Sequence, residues 1–313
     1  MATHNNWLHF SFDGKLNIAR SSIDSVFDLH FTPTEVTSAS YKDALYNNAR
    51  AIRDSISGPL DVLLSGGIDS EVIVRVFKDL GIKHNTFIFQ LENNLNVRDV
   101  IAAEMLCDEL NIPYKIIDFN HRKFYETQAK DYFDKTFSPC SGRIARLAWF
   151  DMLDNTPVWG EGEPVWVKQL DHTWMTPFDE RDFVYEVYGR NVGRSVVGQW
   201  WAYTPDIMIK FLDLSIVQQV LANRHDILPH HSGSQDFPLN ISTWPIRDAI
   251  HRSIWPTIRV KPKLTGHEGP YGIPDHHVPR YMMEFAEQYT RRVNKGSWQY
   301  NQQQFRTLMH TNG

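Results

Sequence analysis

Between Leu60 and Phe119 the chain alternates two hydrophobic periods, and this alternation restricts the possible folds more than any other feature. Apolar runs at Leu60–Leu64, Thr86–Leu91 and Tyr114–Phe119 are separated by Ile68–Leu80 and Val97–Leu110, where apolar residues recur at helical spacing. In the first helical segment Ile68, Val72, Ile73, Val76, Phe77 and Leu80 form one stripe, and Gly81 stands where a left-handed residue ends a helix. The order reads β-α-β-α-β. Strands apolar almost throughout predict a parallel sheet covered on both faces. Right-handed crossovers then give a doubly wound α/β domain whose ligand crevice lies at the carboxyl ends of the strands.

The flanking regions read differently. Asp13-Gly14 is a turn signal between apolar flanks and Val26 to Phe31 is a second strand candidate, which predicts a small N-terminal β appendage. A helix is expected to follow as far as Ile56, with Thr32 as its cap, Pro33 at the first helical position and Glu35 closing a capping box. Beyond residue 120 the pattern is mainly helical, with amphipathic stretches near 122–136, 143–153, 205–222, 246–254 and 279–293. One further strand is expected at Pro157–Gly160, and the polar last twenty residues are expected to fray. The boundaries drawn are 1–57 for the appendage, 58–275 for the α/β domain and 276–313 for a helical extension.

Composition removes several function classes. The 32 Lys and Arg against 37 Asp and Glu leave a net charge of -5, which offers no general pull toward nucleic acid or an anionic membrane. No apolar run reaches the length of about eighteen residues that a spanning helix needs, and no leader-like start is seen. A cytoplasmic location is expected, with no nucleic acid and no membrane as partner. The two cysteines, Cys107 and Cys140, form no CxxC, so neither a disulfide framework nor a structural zinc site is supported.

The sharpest local signal is Leu64-Ser65-Gly66-Gly67-Ile68-Asp69-Ser70, where an apolar strand turns into a helix. Two glycines allow close backbone approach to an anion, the N–H groups of the helix start bind phosphate oxygens, and Ser65 and Ser70 add hydroxyls. Asp69 is the informative oddity. A carboxylate beside phosphates is repulsive unless a cation lies between them, which points to Mg²⁺ carried by a nucleotide. The loop lacks the lysine of GxxxxGK[ST] and the glycine spacing of GxGxxG. It resembles the signature SGGxDS of the PP-loop ATP pyrophosphatases, an adenine nucleotide alpha hydrolase-like fold. That resemblance implies ATP as cofactor, with attack of a substrate oxygen on the α-phosphorus and release of pyrophosphate.

Three further segments, in order, resemble the synthetase domain of asparagine synthetase and β-lactam synthetase. Phe87-Ile88-Phe89 with Asp99, Ala102 and Ala103 is similar to the strand and helix that receive adenine, which implies Ile88 as a contact. Val158-Trp159-Gly160-Glu161-Gly162-Glu163 resembles a turn that binds pyrophosphate and supplies a second carboxylate. Gly160, Glu161 and Gly162 are implied in nucleotide binding, and Glu163, with Glu161 as the alternative, is implied as a metal ligand beside Asp69. The segment departs from the family in carrying Trp159 for serine and Glu163-Pro164 for Ser-Asp-Glu. The last segment runs from Ile246-Arg247-Asp248 through Trp255-Pro256 to Arg259-Val260-Lys261-Pro262-Lys263. It resembles a helix, proline turn and RxK motif whose lysine stabilises charge during adenylation, implying Lys261 as the catalytic cation and Lys263 as its reserve at the phosphates.

Residue 2 is alanine where a fused glutaminase domain carries its cysteine, so the expected nucleophile is ammonia or another amine, supplied free or by a separate protein. The expected activity is an ATP-dependent, AMP- and pyrophosphate-forming ligase that adenylates a carboxylate or carbonyl oxygen of a small-molecule substrate. Two alternatives stay open: a thiolation or nucleobase-modifying enzyme working through Cys140, and a nucleotide-binding module without catalysis. Arg143, Arg146 and Lys168 are candidates for an anionic substrate, with surface ion pairing as the other reading.

Overall fold

The computed structural model describes residues 7–16, 20–138, 140–161, 164, 166–168, 174–179, 183–222, 246–258, 280–290, 297–301, 304 and 306. Strands β1 (Leu8–Phe12), β2 (Lys15–Leu16) and β3 (Phe27–Phe31) form an antiparallel sheet in the order β2-β1-β3, with Phe12 opposite Phe27 and Leu8 opposite Phe31. The turn joining β1 to β2 has both Asp13 and Gly14 at positive φ, as a two-residue hairpin loop of this twist requires. Phe10 and Phe27 pack at a tilt against Phe183, Phe12 packs on Phe10 and Phe27, and all four join the same apolar core as the central sheet.

Helix α1 (Tyr41–Ser55) begins later than expected. Ser40, not Thr32, is the cap: its Oγ accepts the Asp43 N–H at 3.1 Å and donates to the Asp43 carboxylate at 2.7 Å. That reciprocal pair lies directly before the amphipathic stripe, whereas Thr32 is tied by its backbone N–H to the Trp7 carbonyl and extends the sheet.

The central alternation forms as read: β4 (Leu60–Leu63), α2 (Ile68–Asp79), β5 (Asn85–Leu91), α3 (Val97–Leu110) and β6 (Tyr114–Phe119). With β7 (Thr156–Val158) they make a four-stranded parallel sheet in the order β6-β5-β4-β7. The fold is α/β with a parallel sheet covered on both faces. Leu60, Val62, Leu64 and Ile88 belong to the core under α1, α2 and α3, while Leu63, Phe87, Phe89 and Leu91 belong to the opposite one. This period-two division between two covered faces explains why the strands read as continuous apolar runs. Asp61, the polar interruption of β4, is fully buried and accepts from Asn85 Nδ2 at 2.7 Å and from Asn155 N and Nδ2, both at 3.0 Å.

On the second face lie α4 (His121–Thr127), α5 (Ala129–Thr136), α6 (Ser141–Asp151) and α7 (Val184–Val192). The stretch 122–136 is thus two helices parted at Gln128, and 205–222 is likewise two, α8 (Pro205–Leu212) and α9 (Ser215–Ala222). Then come α10 (Arg247–Ile254) and α11 (Arg280–Phe285). The described second half is mainly helical as expected but also carries a sheet that was not, and one strand of that sheet, Ser297–Asn301, falls within the last twenty residues. Strands β8 (Val167–Lys168), β9 (Trp174–Asp179) and β10 (Ser297–Asn301) form an antiparallel sheet in the order β10-β9-β8, with Trp298 opposite Phe178. A pairing partner so distant in the chain leaves no local period to detect. No helix among the described residues is long and apolar enough to cross a membrane.

Replacing Ser40 by alanine should lower stability by about 1 kcal/mol, while Thr32→Ala should stay within about 0.5 kcal/mol of the parent in urea unfolding.

Candidate active site

The chain order reverses between β4 and β7, and the turns that leave these neighbouring strands meet at their carboxyl ends, where ligands of open α/β sheets bind. After β4, Leu64 continues the pairing by donating its N–H to the Phe87 carbonyl at 2.8 Å. Gly66 then takes φ +69, a conformation that strains any side-chain-bearing residue, and Gly67 is the N-cap of α2 without a side-chain cap. Ser70 closes the turn on itself. Its hydroxyl donates to the Gly67 carbonyl at 3.1 Å and accepts the Ser65 N–H at 3.1 Å, so Ser65 Oγ, 3.0 Å away, must be the donor in their contact. These bonds fix the loop while the first N–H groups of α2 keep no partner within the helix, which is the arrangement of an anion cradle.

The turn after β7 packs directly on that loop. A Cβ placed on Gly160 would stand 3.3 Å from both the carbonyl carbon and oxygen of Asp69 and 3.0 Å from Cδ1 of Ile73. Trp201 holds the turn from behind, its indole N–H donating to the Gly160 carbonyl at 3.1 Å. The chain at Val197 and Gln199 bridges to Val158 and Gly160, which extends the sheet by one short rung.

Asp69 projects from the first turn of α2, its side chain 29% exposed, and Arg247 Nη1 from the start of α10 donates to its Oδ1 at 2.8 Å. Arg247 itself is buried at 5% exposure. A hard carboxylate oxygen beside an anion cradle fits Mg²⁺, which commonly takes one or two carboxylates and fills its shell with nucleotide phosphates and water. Among the described residues no group of three or more His, Cys, Asp or Glu converges as an all-protein metal cage.

Glu161, the alternative metal ligand, is held on both oxygens by side chains of the protein. Its Oε1 accepts from Arg143, at 3.1 Å from Nη2, and its Oε2 accepts from Arg146 Nη1 at 2.9 Å, Tyr185 Oη at 2.6 Å and Trp159 Nε1 at 3.1 Å. Burial pushes the Glu161 carboxyl up, but Arg143, Arg146 and the Tyr185 and Trp159 hydrogen bonds outweigh it and hold the group well below the usual carboxylate range. Both oxygens are thus committed to cations and donors the protein supplies. Of the surface reading of Arg143 and Arg146, only the ion pairing survives, since the pair is largely buried. Arg146 also lies 5.1 Å from the ring centre of Trp159, whose place in the turn is otherwise unexpected.

The chain matches no protein-family model and no curated protein. Among solved structures it is similar to NMN synthetase from Francisella tularensis, 20% identical over 39% of this chain and 53% of that chain, with a TM-score of 0.30. It is also similar to NH3-dependent NAD synthetase from Campylobacter jejuni subsp. jejuni NCTC 11168 in complex with the nitrate ion, 11% identical over 80% of this chain and 92% of that one, with a TM-score of 0.29. The chain thus spans about half the length of the first of these structures.

The structure therefore brings together Leu64, Ser65, Gly66, Gly67, Asp69, Ser70, Gly160 and Glu161 from two segments far apart in sequence. It does not bring the Ile88 side chain to the crevice. Ile88 is 1% exposed within the core on the α3 face, so its alternation in β5 spends it on packing. Gly162, Glu163, Lys261 and Lys263 lie outside the described residues. Sequence reasoning assigned no role to Tyr185, Trp201 or Arg247. Only Arg247 carried a signal, as part of the segment read for its downstream lysines. His121, at the start of α4, is buried near Arg146, and burial pushes its imidazole down to about 4, so it is neutral at pH 7.

Because Glu161 titrates lower in the folded than in the unfolded chain, its contribution is complete above the unfolded value of about 4.3 and is lost as pH falls below it. Glu161→Gln should cost about 3 kcal/mol at pH 7, by stranding two buried guanidinium groups, and should flatten the loss of stability below about pH 4.3 in urea unfolding.

Proposed function

We propose that this protein is an ATP-dependent ligase that forms AMP and pyrophosphate while joining an activated carboxylate to an amine or ammonia, in the manner of asparagine synthetase. The observation that carries the reading is the contact of Gly160 with the Asp69 backbone, which joins the SGGIDS loop and the glycine turn after β7 into one anion-binding crevice at the switch point of the sheet.

In this reading the backbone of Ser65, Gly66 and Gly67 and the start of α2 hold the phosphates, with Ser70 keeping the loop in shape. Asp69, with Glu163 as second carboxylate, would hold Mg²⁺, which when bound offsets the charge of the phosphates. The substrate carboxylate oxygen forms a bond to the α-phosphorus as the bond to pyrophosphate breaks, leaving an acyl-adenylate. The amine then forms the C–N bond, AMP leaves with the electron pair, and the amine proton passes to solvent or to a nearby base. Lys261, with Lys263 as its reserve, would supply a compact cation for the charge that develops on the α-phosphate. Catalysis rests on positioning and fixed charge, with no protein nucleophile.

Incubation with ATP, Mg²⁺, ammonia and a panel of small carboxylic acids should release pyrophosphate and AMP in equal amounts with one acid or a narrow group of them. Lys261→Ala should keep ATP binding and lose turnover by about a hundredfold or more, read as pyrophosphate release. Cys140→Ser should leave turnover unchanged, since the step uses no thiol. Tight ATP binding without pyrophosphate release across the panel would instead support a nucleotide-binding module.

A further inference from the structure

Arg247 has no place in the reaction as set out above, yet this buried cation lies 2.8 Å from the carboxylate of Asp69. We propose that Arg247 is a phosphate-binding residue that Asp69 holds in the nucleotide-free protein and that changes partner, from Asp69 to a nucleotide phosphate, when Mg²⁺-ATP enters. The proposal rests on the crevice being an ATP site.

The first ground is the geometry. Arg247 Nη1 is 2.8 Å from Asp69 Oδ1, and Asp69 is the second residue of α2, beside the N–H groups that form the anion cradle. Neighbouring ligands of an octahedral Mg²⁺ at about 2.1 Å lie about 3 Å apart, so a phosphate oxygen sharing the ion with Asp69 would come within reach of the same guanidinium after a small shift.

The second ground is energetic. Arg247 is 5% exposed, with Asp69 Oδ1 2.8 Å from Nη1 and Asp248 Oδ1 farther off at 3.9 Å from Nε, and a buried guanidinium that loses its closest anion is destabilised. A divalent ion that drew Asp69 away with nothing in return would incur that cost. A triphosphate arriving with the ion removes it, because the guanidinium exchanges a carboxylate for phosphate oxygens and stays paired. Metal and nucleotide should therefore bind together, and the metal alone should bind poorly. The third ground is the rigidity of the support. Helix α10 is held against the crevice one turn further on, where His251 is fully buried with its ring 5.5 Å from that of Trp201, the residue that fixes Gly160. The backbone of Arg247 is anchored while its side chain can change partner.

The test measures binding, with Mn²⁺ as an oxygen-liganded paramagnetic substitute for Mg²⁺. Free Mn²⁺ is followed by its electron paramagnetic resonance signal, and ATP binding by equilibrium dialysis with Mg²⁺, in the full-length protein and in Arg247→Met and Arg247→Lys. The parent should bind Mn²⁺ weakly alone and tightly with ATP. Arg247→Met should bind Mn²⁺ alone about tenfold or more tightly than the parent and Mg²⁺-ATP about tenfold or more weakly, with Arg247→Lys between. Asp69→Asn should remove the Mn²⁺ gained by Arg247→Met.

A purely structural brace would lower thermal stability in both variants without moving the two affinities in opposite directions, and that outcome overturns the proposal. Unchanged affinities in Arg247→Met overturn it equally. Absence of ATP binding by the parent refutes the ATP site itself, whereas ATP binding that ignores Arg247 refutes only the exchange.

Discussion

The close approach of two backbones at the carboxyl ends of β4 and β7 is the constraint on which the rest of the site depends. A side chain at residue 160 would crowd this contact, because its Cβ would stand 3.3 Å from the Asp69 carbonyl and the two backbones would have to part by a few tenths of an ångström. That contact sets the distance between the turn after β4 and the turn after β7. Everything packed behind it acts as support: Trp201 on the Gly160 carbonyl, His251 against Trp201, and α10 beneath both.

Around this contact the protein divides its charges by task. Glu161 is surrounded by Arg143, Arg146, Tyr185 and Trp159, and its carboxylate neutralises a buried pair of guanidinium groups and ties α6 and α7 to the β7 turn. Asp69, in the first turn of α2, pairs with Arg247. The two carboxylates are equally exposed, at 29%, and differ in the side chains that hold them. One is locked into the scaffold by several donors, and the other sits at the mouth of the anion cradle with a partner able to follow a phosphate.

Where the sequence was legible, the reason was local. The β-α-β-α-β order was readable because alternation and helical periodicity are set by neighbours a few residues apart, and the boundaries of α3 and β6 follow them closely. The SGGIDS turn was readable because positive φ at Gly66 and a helix start leave few residue choices. The helix start at Ser40 was misplaced through a competing local signal, Thr32-Pro33 with Glu35, and the true capping pair prevailed because residue 32 was already tied into the sheet. The antiparallel sheet of β8, β9 and β10 gave no such signal, since short strands acquire their order from partners remote in the chain.

By itself the sequence determined the parallel α/β core and the glycine turn between β4 and α2, because hydrophobic period and glycine conformation act over one strand or one turn. Only the tertiary structure decided which charges meet. Arg247 reaches Asp69 across 178 positions, and Ile88, in a strand at the crevice, turns its side chain into the core instead. Ion pairing and burial are governed by distance and desolvation in space, and neither quantity is written in the spacing of residues along the chain.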